Sequence, residues 1–376
     1  MGRTLARCAV SAVLELFAGC GGAALGLHRA GLRHLACVEL DPAAAQTLAA
    51  AGFPALQADV RAVDWSPFAG LTDLLWASPP CQPGSTAGQR QGEADARDGW
   101  PWTWAALDAV RPTWFMAENV LGWTCHARGC RLGGEHVGCV GCSWEHSVLP
   151  ELRARFAFSG AWRIDAADHD TPQHRRRVIL WGGPLPLSPP PPTHGDPADE
   201  DTKNRSLRAW RTVRDAIGDT LLDPATCDVR ACYPCDGSHG RACAEPWRAD
   251  APAPTITTTE VKGTRAHAPD WSFNGGPDRA SDAAFLVAGV RRIEVAEGLA
   301  LQGLPADWPL QGTREEQYRQ VGNAVPPAMS EALGRVVLAA NRVLGELRGR
   351  GVDLDDLGVA LRRSPAAVPS WLGRAA

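Results

Sequence analysis

Residues 12–22 read AVLELFAGCGG, a short apolar run that ends directly in a cluster of glycines. The run predicts a buried strand, and the glycines predict a tight turn that opens a helix over about 22–30. Glycines at such a turn let a ligand approach the backbone, and the following helix N-terminus favours negative charge. Many strand-to-helix turns contain glycine, so this motif alone indicates a ligand site only weakly.

Strand-like and helix-like segments continue to alternate as far as about residue 120. Apolar runs predict further strands at His34–Glu39, Thr72–Ala77 and Trp114–Ala117. Asp41 followed by Pro42 is typical of a helix N-cap with proline at the first helical position. We therefore predict an α/β fold with a doubly wound, Rossmann-like parallel sheet, in which ligands bind at the carboxyl ends of the strands.

Acidic side chains follow the next two strand-like segments. Glu39 lies 20 residues after Gly19, where a carboxylate can bind a ribose diol. Asp59 ends the third segment and can accept a hydrogen bond from an adenine amine. The chain lacks a complete G-x-G-x-x-G, so we expect an adenosine-containing cofactor rather than a dinucleotide.

Three further motifs carry groups suited to covalent or acid–base chemistry. Cys81 follows two prolines at a strand end, in SPPCQP, and is either a rigidly held nucleophile or a structural cysteine. Glu118, after the apolar run TWFMA, is a candidate proton donor. Arg175 and Arg177 share one face of the extended segment QHRRR, where they bind a phosphate or a carbonyl or form a solvated basic face.

Composition sets the broad class of the protein. The 376 residues are 45% hydrophobic and 21% charged, which is ordinary for a globular protein and excludes a wholly disordered chain. No stretch approaches the ~20 apolar residues of a membrane helix, and the N-terminus lacks a signal-peptide pattern, so we expect a cytoplasmic protein. The net charge of −4 excludes a uniformly basic surface but allows a local cationic groove for nucleic acid.

Eight of the 12 cysteines form two groups with ligand-like spacing. The first group is Cys125, Cys130, Cys139 and Cys142, and the second is Cys227, Cys232, Cys235 and Cys243. In a chain without an export signal, such groups favour structural zinc over disulfides. Free thiols remain the alternative for both groups: the residues favour zinc at the first group, whereas at the second, which lies in the variable segment, they favour neither.

Taken in order, these motifs resemble those of the DNA cytosine-5 methyltransferases. ELFAGCGGAALGLHRAG resembles the cofactor loop, and VELDP and ADV resemble the next two cofactor motifs. PPCQPGSTAGQRQG, followed by Asp95 and Arg97, resembles the catalytic loop. ENV, TPQHRRRVIL, RRIEVAEGLALQGLPADW and QYRQVGNAVPPAM follow in the family's order. The resemblance covers about residues 12–182 and 290–337.

The resemblance implies an S-adenosylmethionine-dependent methyltransferase that flips a cytosine out of the duplex. Cys81 would attack C6 of the base, and Glu118 would contact N3. Arg175 would hold the base carbonyl, with support from Arg177. The implied cofactor site comprises Phe17, Ala18, Gly19, Gly21, Gly22, Glu39, Leu40, Asp59, Val60, Pro79, Trp100, Asn323 and Val325.

Contacts to DNA are implied for Gln82, Ser85 and Gln173. Two positions depart from the family pattern. Gly84 stands where the family usually has phenylalanine, and Trp100 stands where a smaller apolar residue is common. Neither change removes a catalytic group, so we expect an active enzyme.

The family's motif order also predicts the domains. Residues 1–183 would form the catalytic methyltransferase domain, with a Cys-rich insertion at about 123–147. Residues 184–288 begin with the proline-rich PLPLSPPPP and would form a smaller, irregular target-recognition domain. Residues 289–347 would return to the catalytic domain, and residues 348–376 would form a peripheral tail.

The implied substrate is double-stranded DNA, and the expected partner is a cognate restriction endonuclease in a prokaryotic or phage-encoded restriction-modification system. We expect a monomer. Two other functions stay open: a tRNA cytosine-5 methyltransferase, since one branch of the family acts on RNA, and a non-catalytic DNA-binding regulator. The long segment 184–288 favours duplex DNA over tRNA, and the intact Cys81, Glu118 and Arg175 favour an enzyme.

Overall fold

The computed structural model describes residues 11–80, 98–124, 140–218, 228–229, 250–256, 290–291 and 293–353. Its main sheet has seven strands: β1 (Ala12–Leu16), β2 (Arg33–Glu39), β3 (Ala55–Gln57), β4 (Leu74–Ala77), β5 (Trp114–Val120), β6 (Phe158–Asp165) and β7 (Arg176–Gly183). Their order across the sheet is β3-β2-β1-β4-β5-β7-β6. The first five are parallel, and β7 runs antiparallel to both β5 and β6.

The predicted α/β fold is confirmed, and the predicted strands differ from the observed ones only at their ends. From β1 the chain runs outward through β2 and β3, and then returns to β4 on the other side of β1. Such a reversal between neighbouring parallel strands opens a crevice at their carboxyl ends, which is where ligands of these sheets bind.

The helices of the described ranges are α1 (Gly22–Ala30), α2 (Pro42–Ala50), α3 (Trp100–Val110), α4 (Val140–Ser143), α5 (Leu149–Arg155), α6 (Glu200–Asn204), α7 (Val213–Ile217), α8 (Val295–Gln302), α9 (Arg314–Asn323) and α10 (Pro327–Gly349). Asp41 caps α2 as predicted, since its carboxylate accepts from the N–H groups of Ala43 and Ala44. Among the helices of the described ranges, none combines the length and apolar character needed to cross a membrane.

Two short strand pairs complete the described structure. They are β8 (His194–Gly195) with β9 (Arg208–Ala209), and β10 (Asp228–Val229) with β11 (Val290–Arg291).

The core has one layer on each face of the sheet, because successive side chains of a strand point to opposite faces. On one face, Leu75 and Phe115 pack with a group of buried tryptophans from α3 and the segments after β5. On the other face, Trp76 and Met116 pack with α1 and α10.

Close packing of α1 against α10 depends on glycine. A Cβ atom on Gly26 would lie 2.0 Å from Ser330 Oγ and 2.1 Å from the Pro327 carbonyl oxygen. A Cβ atom on Gly22 would lie 2.3 Å from the carbonyl oxygen of Val325. Any larger residue would push the helices apart. The residues just before α10 therefore lie beside the turn that follows β1.

The described parts of residues 184–288 pack against the C-terminal part of the chain. Val213 of α7 and Ile256 share a small buried core with Leu301 of α8 and Tyr318 of α9. The segment that contains Ile256 also runs alongside the chain before β7, since Ala253 pairs with Gln173 in a parallel bridge.

Candidate active site

A large cleft of about 970 Å³ lies at the carboxyl ends of β1, β2, β4 and β5. This volume is at the upper end of what small-molecule and cofactor sites usually offer. Predicted site residues that line it are Phe17, Ala18, Gly19, Glu39, Leu40, Asp59, Val60, Pro79, Glu118, Arg175, Arg177, Asn323 and Val325. Residues far apart in sequence thus meet at the crevice where the strand order reverses.

The turn after β1 presents its backbone to the cleft. Phe17 and Gly19 both have a φ of 56°, a left-handed conformation that glycine adopts easily and that is uncommon for phenylalanine. A Cβ atom on Gly19 would meet nothing within 4 Å, so this position faces open space in the cleft. Gly21 and Gly22 do not line the cleft, and Gly22 packs against Val325 instead.

Glu39 fixes the shape of that turn from the end of β2. Its Oε2 accepts from the Gly19 N–H at 2.7 Å, and its Oε1 accepts from the Asp41 N–H at 2.8 Å. Burial raises the pKa of Glu39 above its usual value, and these two N–H groups only partly oppose that effect. An ionised carboxylate offers about four acceptor positions, so these contacts leave acceptor capacity for hydroxyl groups of a ligand.

Asp59 also lines the cleft, but its carboxylate is already paired. Arg61 donates to it through its backbone N–H and through a guanidinium contact of 2.5 Å between Nη2 and Oδ2. These hydrogen bonds hold the pKa of Asp59 below its usual value. An adenine amine would have to share Asp59 with Arg61. Leu40, which is highly exposed, and Val60 supply apolar wall on either side.

The structure corrects the expected cofactor contact at Trp100. This side chain is 3% exposed, stacks on Trp104 with ring centroids 5.3 Å apart, and does not line the cleft. Trp102 is 41% exposed and does line it. Residues two apart in a helix point about 200° apart, so only one of the pair can face the cleft. The repeat WPWTW contained both candidates, and only the helical phase distinguishes them.

Glu118 and Arg177 form a buried ion pair on the cleft wall. Arg177 Nε lies 2.7 Å from Glu118 Oε1. In the antiparallel pairing of β5 with β7, Glu118 lies opposite Ile179 and Arg177 lies opposite Val120. The two residues are therefore diagonal neighbours on one face of the sheet, within reach of long side chains.

Arg175 lies beside this pair but has different partners. Its Nη1 donates to the Ile256 carbonyl at 3.0 Å, and its Nη2 donates to the Gly322 carbonyl at 3.0 Å. The guanidinium thus joins the start of β7 to two distant segments of the chain. Arg175 was expected to hold the substrate carbonyl with support from Arg177, and the observed contacts favour the reverse division of roles.

The approach to Cys81 is firmly held. The side-chain amide of Asn119 donates to the Pro79 carbonyl at 3.2 Å. A Cβ atom on Gly99 would lie 2.8 Å from both Pro79 and Pro80, so the two prolines pack directly on this glycine. Both prolines line the cleft, and the chain continues from there into Cys81.

Several predicted residues lie outside the described ranges: Cys81, Gln82, Gly84, Ser85, Cys125, Cys130, Cys139, Cys227, Cys232, Cys235 and Cys243. Cys142 is described and is buried. Gln173 is also described, and here the structure corrects the expected DNA contact. Its side chain is 0% exposed and hydrogen-bonds to Leu301, Gln302 and Ile256.

One group of potential metal ligands occurs in the described part of the chain. Glu15, His34 and Cys37 are buried, and their ligand atoms lie within 4.8 Å of one another. His34 Nε2 is 3.2 Å from Glu15 Oε2, and the Cys37 thiol is 4.0 Å from the same oxygen. These contacts satisfy the buried carboxylate without a metal ion.

Comparisons with known proteins show which proteins the chain is similar to. The profile of the family described as C-5 cytosine-specific DNA methylase matches residues 11–339. The Type II methyltransferase M.NaeI of Lentzea aerocolonigenes is 31% identical, over 91% of this chain and 78% of that protein. The Type II methyltransferase M.NgoMIV of Neisseria gonorrhoeae is 28% identical, over 87% of this chain and 97% of that protein.

Solved structures share the fold. The Dnmt2 methyltransferase of S. pombe superposes with a TM-score of 0.55 at 17% identity, over 88% of this chain and 99% of that one. The Entamoeba histolytica methyltransferase EhMeth gives a TM-score of 0.56 at 14% identity, over 87% and 98% of the two chains.

Proposed function

Because the chain belongs to the C-5 cytosine-specific DNA methylase family, we propose that its cleft binds S-adenosylmethionine and a flipped cytosine side by side. The protein is a DNA cytosine-5 methyltransferase, and S-adenosylmethionine is the methyl donor of this family. The observation that carries the residue assignments is that Glu39, Glu118 and Arg177 line one continuous cleft.

The cofactor end of the cleft lies between the turn after β1 and the end of β2. The remaining acceptor positions of Glu39 suit the two ribose hydroxyls. Leu40, Val60 and the half-exposed Trp102 offer apolar surface for the adenine ring. Gly19 leaves room for the ligand to approach the backbone. When bound there, S-adenosylmethionine supplies an electrophilic methyl group.

The base end of the cleft contains Glu118 and Arg177. Glu118 would contact N3 of the cytosine ring and stabilise the electron density that builds up when a nucleophile adds to C6. Arg177, held against Glu118 at 2.7 Å, would hold the exocyclic carbonyl of the base. We assign Arg175 to positioning, since backbone carbonyls of Ile256 and Gly322 accept two of its hydrogen bonds.

Cys81 would be the nucleophile. Its thiolate adds to C6, which makes C5 nucleophilic, and after methylation loss of the C5 proton expels the thiolate again. Support comes from the packing of Pro79 and Pro80 on Gly99, which fixes the chain directly before the thiol. A nucleophile needs such support, because small errors in its position strongly reduce the rate.

A direct assay tests the proposal and separates DNA from tRNA as substrate. Purified protein is incubated with S-adenosylmethionine carrying a labelled methyl group and with either unmethylated plasmid DNA or tRNA. We expect label in DNA, and bisulfite sequencing of the plasmid should show protected cytosines at one recurring sequence. Label in tRNA alone would favour the RNA-modifying alternative, and no label in either would favour the non-catalytic regulator.

We further propose that the enzyme acts as a monomer with a cognate restriction endonuclease as its partner. Both proposals concern its biological setting rather than its chemistry. The relatives M.NaeI and M.NgoMIV are Type II methyltransferases, a class that belongs to restriction-modification systems.

Glu39→Ala should weaken the binding of S-adenosylmethionine about 10- to 100-fold. The change removes charge-assisted hydrogen bonding to the ribose, and the loss of one such bond, roughly 1.5–3 kcal/mol, corresponds to about this change in affinity. Calorimetric titration of the free enzyme measures the dissociation constant. Asp64→Ala is the matched control, since Asp64 also accepts a backbone N–H, from Ser66 at 3.0 Å, but does not line the cleft. Unchanged affinity in Glu39→Ala would remove Glu39 from the cofactor site.

We also propose that the Cys125–Cys142 group binds one structural zinc ion, and that the Cys227–Cys243 group is a second, weaker candidate. Trp123 and Trp144, which flank the first group in sequence, are both buried in one core cluster, and Cys142 is itself buried. A bound metal ion contributes folding free energy directly, so it would stabilise this segment.

Metal analysis of protein purified under reducing, chelator-free conditions tests the zinc proposal. With one equivalent bound, Cys139→Ser should release it, while Cys232→Ser and Cys37→Ser should retain it. Loss of zinc in Cys232→Ser would move the site to the second group. Loss in Cys37→Ser would move it to the buried group of Glu15, His34 and Cys37. A zinc-free wild type would exclude every one of these sites.

A further inference from the structure

Gln173 lies at a junction of three separate parts of the chain. Its Oε1 accepts from the Ile256 N–H at 3.1 Å. Its Nε2 donates to the Leu301 carbonyl at 3.3 Å and to Gln302 Oε1 at 3.2 Å. The side chain thus joins the segment before β7 to the end of residues 250–256 and to the C-terminus of α8.

Gln302 extends this junction towards the cofactor end of the cleft. It is fully buried, and its Nε2 donates to the Val321 carbonyl at 2.7 Å. Val321 is followed by Gly322 and Asn323, and both of these residues line the cleft. A chain of buried hydrogen bonds therefore runs from Ile256 through Gln173 and Gln302 to the end of α9.

Arg175 closes this chain into a ring. Its guanidinium donates to the carbonyls of Ile256 and Gly322, which are the segments that the two glutamines also connect. A further bond from Thr255 Oγ1 to the His174 carbonyl, at 2.7 Å, fastens the same segment to the arginine's own strand. A displacement of residues 250–256 would therefore also displace Arg175 and the backbone next to Asn323.

Residues 250–256 are the last described part of the proposed recognition segment 184–288 before β11. We propose that the pair Gln173–Gln302 is a positioning element that couples the binding of DNA on this segment to the binding of cofactor in the cleft. The inference rests on the proposed function, since it needs DNA and cofactor to occupy those two places. It explains why a glutamine in the motif QHRRR is completely buried rather than exposed to DNA.

The coupling requires two properties of the ring, and the structure supplies both. The amides are buried, and their partners are each other and the backbone groups of Ile256, Leu301 and Val321, so a displaced partner leaves an unsatisfied polar group and the ring resists partial opening. The ring also reaches both places, since Ile256 belongs to residues 250–256 and Gly322, beside Asn323, lines the cleft. By linkage, DNA that favours the closed ring must tighten cofactor binding by the same factor as cofactor tightens DNA binding.

The test measures this factor directly. The dissociation constant of S-adenosylhomocysteine, which cannot transfer a methyl group, is determined with and without unmethylated plasmid DNA. In the wild type we expect DNA to lower this dissociation constant about tenfold. The ratio used below is the dissociation constant without DNA divided by the constant with DNA. In Gln302→Met the ratio should fall to about one, while the affinity without DNA stays within roughly twofold. Gln173→Met serves as a second variant and should give the same result if Gln302→Met fails to fold.

Gln320→Met is the matched control. Gln320 is another buried glutamine on α9, where its Oε1 accepts from Thr47 at 2.7 Å and its Nε2 donates to the Gln311 carbonyl at 2.9 Å. It has no bond to the ring, so this variant should lose stability but keep the wild-type ratio.

A merely structural role for the pair would lower the melting temperature and leave the ratio unchanged. The proposal would be overturned if Gln302→Met or Gln173→Met kept the same ratio as the wild type, or if Gln320→Met lost it. It would also be overturned if DNA did not change cofactor affinity in the wild type itself, which is a ratio of one. Failure of the wild type to methylate the plasmid at all would instead count against the proposed function.

Discussion

Cys81→Ala should abolish methyl transfer to DNA, with a fall in rate of roughly four orders of magnitude or more. In the proposed mechanism the Cys81 thiolate is the group that makes C5 nucleophilic. Binding of S-adenosylmethionine should persist, because the cofactor contacts proposed for Glu39 and the turn after β1 do not involve the thiol. Single-turnover transfer of labelled methyl to plasmid DNA measures the change.

Two buried cysteines provide matched controls for this prediction. Burial raises the pKa of the Cys20 thiol to about 12, and burial also raises the pKa of Cys37. Neither forms much thiolate near neutral pH, so Cys20→Ala and Cys37→Ala should retain methyl transfer.

Covalent trapping identifies the attacking residue independently. In DNA containing 5-fluorocytosine, fluorine replaces the proton that must leave C5, so the adduct cannot eliminate. The wild type should therefore remain attached to DNA through Cys81. An adduct at another residue, or full activity in Cys81→Ala, would contradict the assignment.

Most of the fold was readable from the sequence because its signals are local. The run AVLELF, the glycine cluster after it, and the cap formed by Asp41 and Pro42 each specify one element within a few residues. Strand ends then follow from the alternation, and in a parallel sheet they must lie along one edge. Glu39 and Asp59 could therefore be assigned from the sequence to one cofactor site with the turn after β1.

The side of a helix on which a residue lies could not be predicted in this way. Trp100 and Trp102 have the same residue type and nearly the same sequence context. The choice between them depends on where α3 begins its first turn, and a shift of two residues exchanges the core side for the cleft side. The sequence signal that could have helped is the helix start: Gly99 followed by Pro101 at an early helical position.

Roles set by long-range contacts were also beyond the sequence. Arg175 and Arg177 share a face of one strand, so periodicity treats them alike. Their difference arises because carbonyls of Ile256 and Gly322, 81 and 147 residues away from Arg175, accept its hydrogen bonds. Gln173 became buried for the same reason: its partners come from α8 and from residue 256.

The second large effect is expected at the buried pair of Glu118 and Arg177. Glu118→Gln keeps the shape of the side chain but removes both the negative charge and the proton it can transfer. General acid–base groups contribute about 10²- to 10⁴-fold to the rate, so we expect kcat to fall by roughly 10²- to 10³-fold. The dissociation constant of S-adenosylmethionine should stay within about twofold, since Glu118 lies at the base end of the cleft.

Arg177→Lys tests the other half of the pair. Lysine keeps the charge but cannot reach Glu118 and the base carbonyl with one planar group, so we expect kcat to fall about 10- to 100-fold. Arg176→Lys is the control, because Arg176 lies between the two arginines, points to the opposite face of β7, and has 72% of its side chain exposed. It should leave kcat unchanged.

A comparison of Arg175→Lys with Arg177→Lys decides which arginine holds the base. If Arg177 does, its variant loses mainly kcat, and the double variant Glu118→Gln/Arg177→Lys loses less than the product of the single losses, because the two side chains act as one unit. Arg175→Lys should instead act mainly on stability: its melting temperature should fall, while its kcat stays closer to the wild-type value than that of Arg177→Lys. The reason is that the Arg175 guanidinium donates to two backbone carbonyls. A larger loss of kcat in Arg175→Lys than in Arg177→Lys would return the base carbonyl to Arg175.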